Sequence, residues 1–567
     1  MHRIVASHLK SFATSNGLES VPEDIQFERF ANFTVLSSKT GIAFDLDDIS
    51  TSDGEDGIDG IAVLVNEEVT VSSSECEKLF KGDRKNHDVE LVFIQAKSGE
   101  AYDLGEFLKF KEAILRFLDS DGYNSRDSIS KESHEVFEVV LKHVPKIRNG
   151  RPSVFIRYVA TGLYKKPPAL EEARHDLKQK IEELGMFDQI DIRFIDREEL
   201  TRLWVSTYSG TSAEMEMFSV APMPKIHGVE EAYLGIARAK EIVDKLLKGE
   251  DGGIRAQVFE ENVRSFLGTE NTVNSSIAAT LRSGATASRF PALNNGITIV
   301  SPDVRLQGNT IHLQNFQIVN GCQTSHVLWE NRGALEDGVM VSVKVVETDN
   351  EDLFAELVTA TNSQTRVDKN QFYSLRPIIK RVERYFDAFA DNEDGRLYFE
   401  RRDRQFVGRD IPAIRIFSMH MAAKSVCAMF LQRPELAFKY PKTMYDELGD
   451  RMFSEDVKEV VFYAACLAMY RVHLLCSNGV IPQDIKRYKW HMLPLIRALI
   501  CGSKDVFPVA SNKAEKQAEK IAQALKTNSV FGTQAIKRAS KIVKDANPSV
   551  DRMKRVAIVN EMLATIS

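Results

Sequence analysis

Residues 57–65, GIDGIAVLV, and residues 90–98, ELVFIQAKS, decide how this chain begins to fold. Each holds an apolar run rich in Val, Ile, Leu or Phe that is too short for a buried helix, so both are read as strands. Side chains alternate across a strand, which puts Gln95 and Lys97 on one face of the second run and Asp59 at the entry to the first. Upstream, residues 22–36 have Pro22 at an N1-like position, Glu23 and Asp24 in the first turn, and apolar Phe27, Phe30 and Phe33. That pattern predicts a capped helix with Glu28 off its apolar stripe. Residues 104–118 predict a long helix after the second strand.

The alternation then continues. SVFIRYVATG at 153–162 reads as a strand, 170–184 as a charged amphipathic helix, IDIRFID at 190–196 as a strand and REELTRLW at 197–204 as a short helix. Such an order indicates a sheet with crossover helices. Turn formers in STYSGTSAEMEMFSVAPMPK, residues 206–225, place the end of the first domain near 205–220. Beyond it the pattern predicts a helix at 230–247, then strands at 297–300, 304–306 and 310–313, the last two joined through Gln307, Gly308 and Asn309. FQIVNGCQTSHVLWEN, residues 316–331, reads as strand, Asn-Gly turn and helix. A strand at 339–347 and a helix at 351–361 follow, and the pattern is helical from about residue 374 onward. The expected organisation is an α/β domain over 1–215, an α+β domain over 225–375 and an all-α region over 376–567.

Composition narrows the function classes. The 567 residues suggest three or four domains at roughly one per 150 residues, and 43% hydrophobic with 27% charged residues is an ordinary globular balance. With 74 Lys and Arg against 81 Asp and Glu, the net charge of −7 argues against indiscriminate coating of nucleic acid but leaves room for a local basic groove. Seven acids between Asp45 and Asp59, with no Lys or Arg among them, match that surplus. The segment fails the EF-hand pattern because Ile49 and Thr51 stand where ligand acids belong. Six cysteines without a C-x-x-C spacing read as reduced core thiols. The N-terminus lacks the apolar region of a signal peptide and no run of 18 apolar residues occurs, so the expectation is a cytoplasmic protein with no membrane partner. The P-loop, H-E-x-x-H and G-x-S-x-G patterns are absent, which leaves a motor ATPase or a zincin unsupported.

Asp59, Gln95 and Lys97 suit phosphodiester hydrolysis. That reaction needs oxygen ligands for a hard cation and a fixed positive charge to orient water and neutralise the phosphorane. Asp59 would supply a carboxylate, Gln95 an amide oxygen and Lys97 the ammonium, with Glu28 as a further carboxylate. In this order, over residues 20–205, these residues resemble the PD-(D/E)XK nuclease pattern, in particular the Mrr-like branch in which the second acid can be Gln. The resemblance implies a restriction-endonuclease-like fold and an endodeoxyribonuclease dependent on Mg²⁺ or Mn²⁺, acting on DNA, with RNA as the other substrate class. Gln95 in place of an acid removes one negative charge and so weakens metal affinity.

Six further motifs follow in order: FEENVRSFLG (259–268), VNSSIAATL (273–281), FPALNNGITIV (290–300), FQIVNGCQTSHVL (316–328), ATNSQTRV (360–367) and YFERRDRQF (398–406). Together, over about 230–435, they resemble the AIPR family, named for abortive infection and phage resistance. The resemblance implies antiphage defence. Polar residues set between apolar runs, namely Arg264, Asn294, Asn295, Asn320, Gln323, Asn362 and Gln364, either line a nucleic-acid or nucleotide pocket or tie turns and helix ends together. Arg401, Arg402 and Arg404, interleaved with Tyr398, Phe399 and Phe406, are either phosphate contacts or structural ion-pair formers. Cleavage of two strands needs two sites, which leads to the expectation of a homodimer. A restrained toxic nuclease also needs an activator, phage-derived or nucleotide. The alternative is a sensor module that binds nucleic acid or nucleotide without turnover.

Overall fold

A computed structural model describes the chain except residues 41–43, 52–56, 83–85, 120–122, 209–210, 250–251, 260–276, 282–286, 351–352, 355, 358–359, 361–372, 374–375, 390–393, 402–404, 407–408, 410, 527–528 and 567. Two compact units result: residues 31–368 with 1–2, and residues 3–30 with 369–567. The division falls within one helix. Along the chain, α1 is Arg3–Asn16 and α2 is Glu23–Ser37, which carries the Phe30/Ala31 boundary.

The first unit opens with a five-stranded mixed sheet. Its strands are β1 (Gly60–Val65), β2 (Glu68–Val69), β3 (Val89–Lys97), β4 (Ser153–Ala160) and β5 (Ile190–Ile195), in the order β2-β1-β3-β4-β5. β1 is antiparallel to β2 and β3, whereas β3, β4 and β5 run parallel. Strands buried on both faces read as continuous apolar runs, and all six residues of β1 are buried. Helices α3 (Ser73–Lys81), α4 (Leu104–Leu118), α5 (Ser128–Lys142) and α6 (Pro168–Leu184) supply the crossovers, and α7 (Arg197–Tyr208) follows β5. Phe107, Phe110 and Phe117 of α4 pack in one core with Phe93 of β3 and Ile156 and Tyr158 of β4. Each such buried ring contributes about 1.5–3 kcal/mol.

A second sheet of seven strands follows in the same unit. It consists of β6 (Ser212–Pro222), β7 (Ala232–Arg238), β8 (Ile297–Ser301), β9 (Asp303–Gln307), β10 (Thr310–Gln314), β11 (Gln317–Asn320) and β12 (Met340–Glu347). The order is β11-β8-β12-β7-β6-β10-β9, antiparallel except for the β8–β12 pair. Helix α8 (Cys322–Glu330) springs from the end of β11. The turn-rich stretch at 212–222 forms β6, in which Met215 and Met217 alternate inward while Glu214, Glu216 and Phe218 face out. One expectation is corrected here. Residues 230–247 are not one helix. They form β7, which is sandwiched between β6 and β12, then a short helix and a π-helical turn at Ile242–Leu247. Pairing on both edges overrides the local helical preference of this segment. The helix expected at 351–361 falls largely outside the described residues.

The second unit is helical, apart from a two-stranded parallel pair of β13 (Tyr398–Glu400) and β14 (Ile416–Ser418). Its main helices are α9 (Pro377–Asp387), α10 (Met419–Phe430), α11 (Pro441–Met452), α12 (Glu459–Ser477), α13 (Lys489–Cys501), α14 (Asn512–Lys526), α15 (Val530–Asp545) and α16 (Ala557–Ala564). By length and composition α12 could cross a membrane, yet it is the central core helix, buried on nearly every side. Five of the six cysteines are buried and Cys501 is half-buried. Burial pushes the Cys76 thiol up to about 12, which makes it an inert core group.

Candidate functional site

The end of β3 brings the candidate nuclease residues together. Asp59 and Gln95 are buried at 4% and 1% exposure, and Lys97 is half-buried. The Asp59 main chain is fixed by its own N–H, which donates to the Ile94 carbonyl at 2.9 Å. Its side chain accepts the Ala96 N–H at Oδ2, 2.8 Å away, so the carboxylate is drawn against the strand carrying Gln95 and Lys97. Asn32 of α2, buried, donates from Nδ2 to the Asp59 carbonyl at 2.8 Å. It reaches that far in because Gly60 has no side chain: a Cβ there would lie 2.3 Å from Asn32 Oδ1. Glu28, on the part of α2 before the boundary, belongs to the second unit.

Helix α4 adds a residue that the motif did not include. Asp103 caps the helix by accepting the Glu106 N–H at 2.8 Å, which sets Glu106 in the first turn. The Glu106 carboxylate then takes Lys109 at 2.6 Å and Lys97 at 2.9 Å. Those two hydrogen bonds, Lys109 first, hold Glu106 down at about 2. Asp59 moves the opposite way: burial raises it, and the Glu106 charge adds to that rise, against the Ala96 N–H and the Lys97 ammonium. Tyr158 pairs in register with Gln95 on β4, and burial with the nearby Glu106, Asp103 and Asp59 carboxylates pushes its hydroxyl up. The D-x-x-E spacing of Asp103 and Glu106, a helix-start signal just after the β3 lysine, was the sequence feature that could have exposed Glu106.

A magnesium ion fits this donor set in one respect that the fold leaves visible. Gln95 Oε1 is buried with no hydrogen-bond partner, an arrangement that costs about 1–3 kcal/mol unless something occupies it. Among the described residues no three His, Cys, Asp or Glu side chains gather at metal-binding distance. Asp59, the Gln95 amide oxygen and water are therefore what the site offers a hard cation.

The raised Asp59 leads to a stability prediction. Above its folded-state pKa the buried charge is a cost, and below the ordinary carboxylate range both folded and unfolded chains are protonated, so the cost vanishes. Asp59→Asn in metal-free buffer at pH 7 is expected to stabilise the protein, a gain that shrinks as pH falls toward 4. Thermal melts in EDTA across that range measure it, and a variant that is less stable at neutral pH than at pH 4 relative to wild type contradicts the assignment.

At one end of the second sheet two turns interlock. Asn294 Oδ1 accepts the Gly296 N–H at 2.8 Å and the Thr324 hydroxyl at 3.1 Å, joining the NNG turn to the start of α8. Gly296 and Gly321 sit at φ +76° and +94°. A Cβ on Gly321 would lie 2.6 Å from the Gly296 carbonyl. Asn295 is exposed, Asn320 is half-buried at the end of β11, and Gln323 is buried in the first turn of α8. Arg264, Asn362 and Gln364, like Arg402 and Arg404, lie outside the described residues.

These turns belong to a recognisable region. The family model described as AIPR protein matches residues 259–555, just over half of the chain. The chain belongs to the AIPR family. The match takes in the interlocked turns and most of the helical unit, and it points to a role in abortive-infection defence against phage. Comparison with curated proteins and with solved structures returned no match.

Within the AIPR region Arg401, the described one of the three arginines singled out in sequence, is turned inward, and so is nearby Arg396. Arg396 is buried, donates to the Phe386 carbonyl and stacks 4.2 Å from the Tyr398 ring. Arg401 is buried and bonds Glu383 at 2.8 Å, while Gln405 donates to the same carboxylate at 2.7 Å. Arg401→Ala is expected to lower stability by about 2 kcal/mol, since the half-buried Glu383 is left with only Gln405 to hold it. Urea unfolding tests this. Unchanged stability together with lost nucleic-acid binding would reassign Arg401 to a ligand.

Proposed function

We propose that this AIPR protein is a metal-dependent DNA endonuclease acting in antiphage, abortive-infection defence, with its active site at the end of β3. The observation that carries the reading is the meeting of Asp59, Gln95 and Lys97 at one strand end, with Gln95 Oε1 left unpartnered in the interior. The strand order, two antiparallel neighbours followed by parallel strands with α4 between β3 and β4, supports it. Asp59 and Gln95 would hold Mg²⁺ or Mn²⁺, which when bound supplies Lewis acidity and an acidified water. Lys97 presents a positive charge to a phosphate, and Glu106 orients that ammonium at 2.9 Å. Asn32 and the Ala96 N–H hold Asp59 in place. In this reading the protein works in the cytoplasm as a homodimer, one site per strand, and is released by a phage-derived or nucleotide activator.

The test is incubation of the purified protein with supercoiled plasmid, modified and unmodified, and with RNA, with and without Mg²⁺ or Mn²⁺, beside Lys97→Ala. Metal-dependent nicking by wild type alone is the expected result. A second reading, a sensor that binds without hydrolysis, is favoured by the neutral Gln95 and by the absence of a three-acid cluster among the described residues. It expects binding to the same substrates with no product and no dependence on metal.

A further inference from the structure

The chain is acidic overall, yet its C-terminal helices are not. Residues 512–555 carry eleven Lys and Arg against four Asp and Glu, a balance of +7 in a protein of net −7. Helix α15 concentrates that charge on one side. Ser529 caps it, and Ala535, Ile536, Ala539, Ser540 and Val543 are buried in the helical unit. The opposite side exposes Gln534, Lys537, Arg538, Lys541 and Lys544, with the acid Asp545 only at its end. Lys537, Lys541 and Lys544 stand at i, i+4 and i+7, one continuous stripe spanning roughly 10 Å of helix axis. None of the three makes an ion pair among the described residues. Phe531, 53% exposed, lies at the head of the same surface.

We infer that the exposed face of α15 is a docking surface for the phosphodiester backbone of a nucleic acid. A row of like charges, unneutralised by the protein, repels itself and is offset by a polyanion whose charges repeat at comparable spacing. A bilayer fits less well, because a membrane-binding helix needs its apolar face outward, and here that face is spent on the protein core. The three stripe lysines are point charges rather than planar forks, so the stripe meets phosphates and does not itself read sequence. The proposal does not depend on the hydrolytic reading.

The experiment measures binding of the full-length protein in EDTA, where no metal-dependent cleavage contributes, to a fluorescent 20-base-pair duplex and to the matching single strand across KCl concentrations. The comparison is the triple variant Lys537→Gln, Lys541→Gln, Lys544→Gln, whose exposed positions leave the melting temperature unchanged. Losing three phosphate contacts is expected to weaken binding at least tenfold at moderate salt. The slope of log affinity on log salt should also flatten by about 2.7 for duplex or about 2.1 for single strand, which tells the two forms apart. Equal affinity and slope in wild type and variant overturn the proposal, as does wild-type protein that binds neither strand form. Lysine-dependent binding to phosphatidylserine vesicles without binding to nucleic acid overturns it in favour of a membrane. Because nothing here reads cleavage, a failed plasmid assay leaves this result interpretable.

Discussion

Lys97→Ala is expected to reduce metal-dependent nicking at least about 100-fold, and Asp59→Asn to reduce it as far. Lys97 carries the one ammonium on the Gln95 face of β3, and its partner Glu106 cannot replace a positive charge on a phosphate. Asp59 offers the carboxylate beside a neutral Gln95, so its loss leaves a hard cation with amide oxygen and water alone. The two variants separate chemistry from folding in opposite ways. Asp59→Asn removes a buried charge and should melt higher in EDTA while losing activity, a combination that general damage to the fold does not produce. Added Mg²⁺ should raise the melting temperature of wild type, as any ligand specific for the folded state does, and leave Asp59→Asn unmoved. Nicking that is equal in wild type and Lys97→Ala would mean that the activity comes from elsewhere. Binding to the same substrates without nicking, equal with and without metal, would instead favour the non-hydrolysing sensor.

What was legible in the sequence is what local rules control. The runs at 57–65 and 90–98 became β1 and β3 because strand phase and apolar content are written residue by residue, and Asp59, Gln95 and Lys97 came with them. Helix α4 ends where its pattern ends, with Asp103 as its cap. The D-x-x-E spacing marks Glu106 only as part of a helix start, and it is the return of α4 against β3 that brings it to Lys97. β7 was missed because AYLGIAR has no strong strand signature of its own and is held by neighbours on both sides. The arginine-rich run left phosphate contacts and structural ion pairs both open, and Arg396 and Arg401 found acceptors on α9. A row of exposed lysines without ion pairs among the described residues lies on α15, whose inward face is as regular as that of any core helix.

The largest stability effect is expected from Gly321→Ala, which should cost roughly 3–5 kcal/mol. Two independent terms add. At φ +94° an L side chain strains the backbone, and the new Cβ would lie 2.6 Å from the Gly296 carbonyl and 3.0 Å from Ile297 Cα, main-chain atoms that cannot rotate away. Gly296→Ala meets the same wall from the other side, with a Cβ 2.2 Å from the Ser342 carbonyl on β12. Asn295→Ala, one residue away and exposed, serves as the control and should leave the melting temperature within a degree or so. If the NNG and NGCQT motifs served chiefly to present amides to a ligand, the glycine variants would fold normally and lose only binding. The structure argues the reverse order: β8, β11 and the start of α8 can meet only where two glycines let their backbones touch, and Asn294 then ties that junction to Thr324. Loss of cooperative unfolding in both glycine variants, with Asn295→Ala unaffected, is the outcome that follows from this packing.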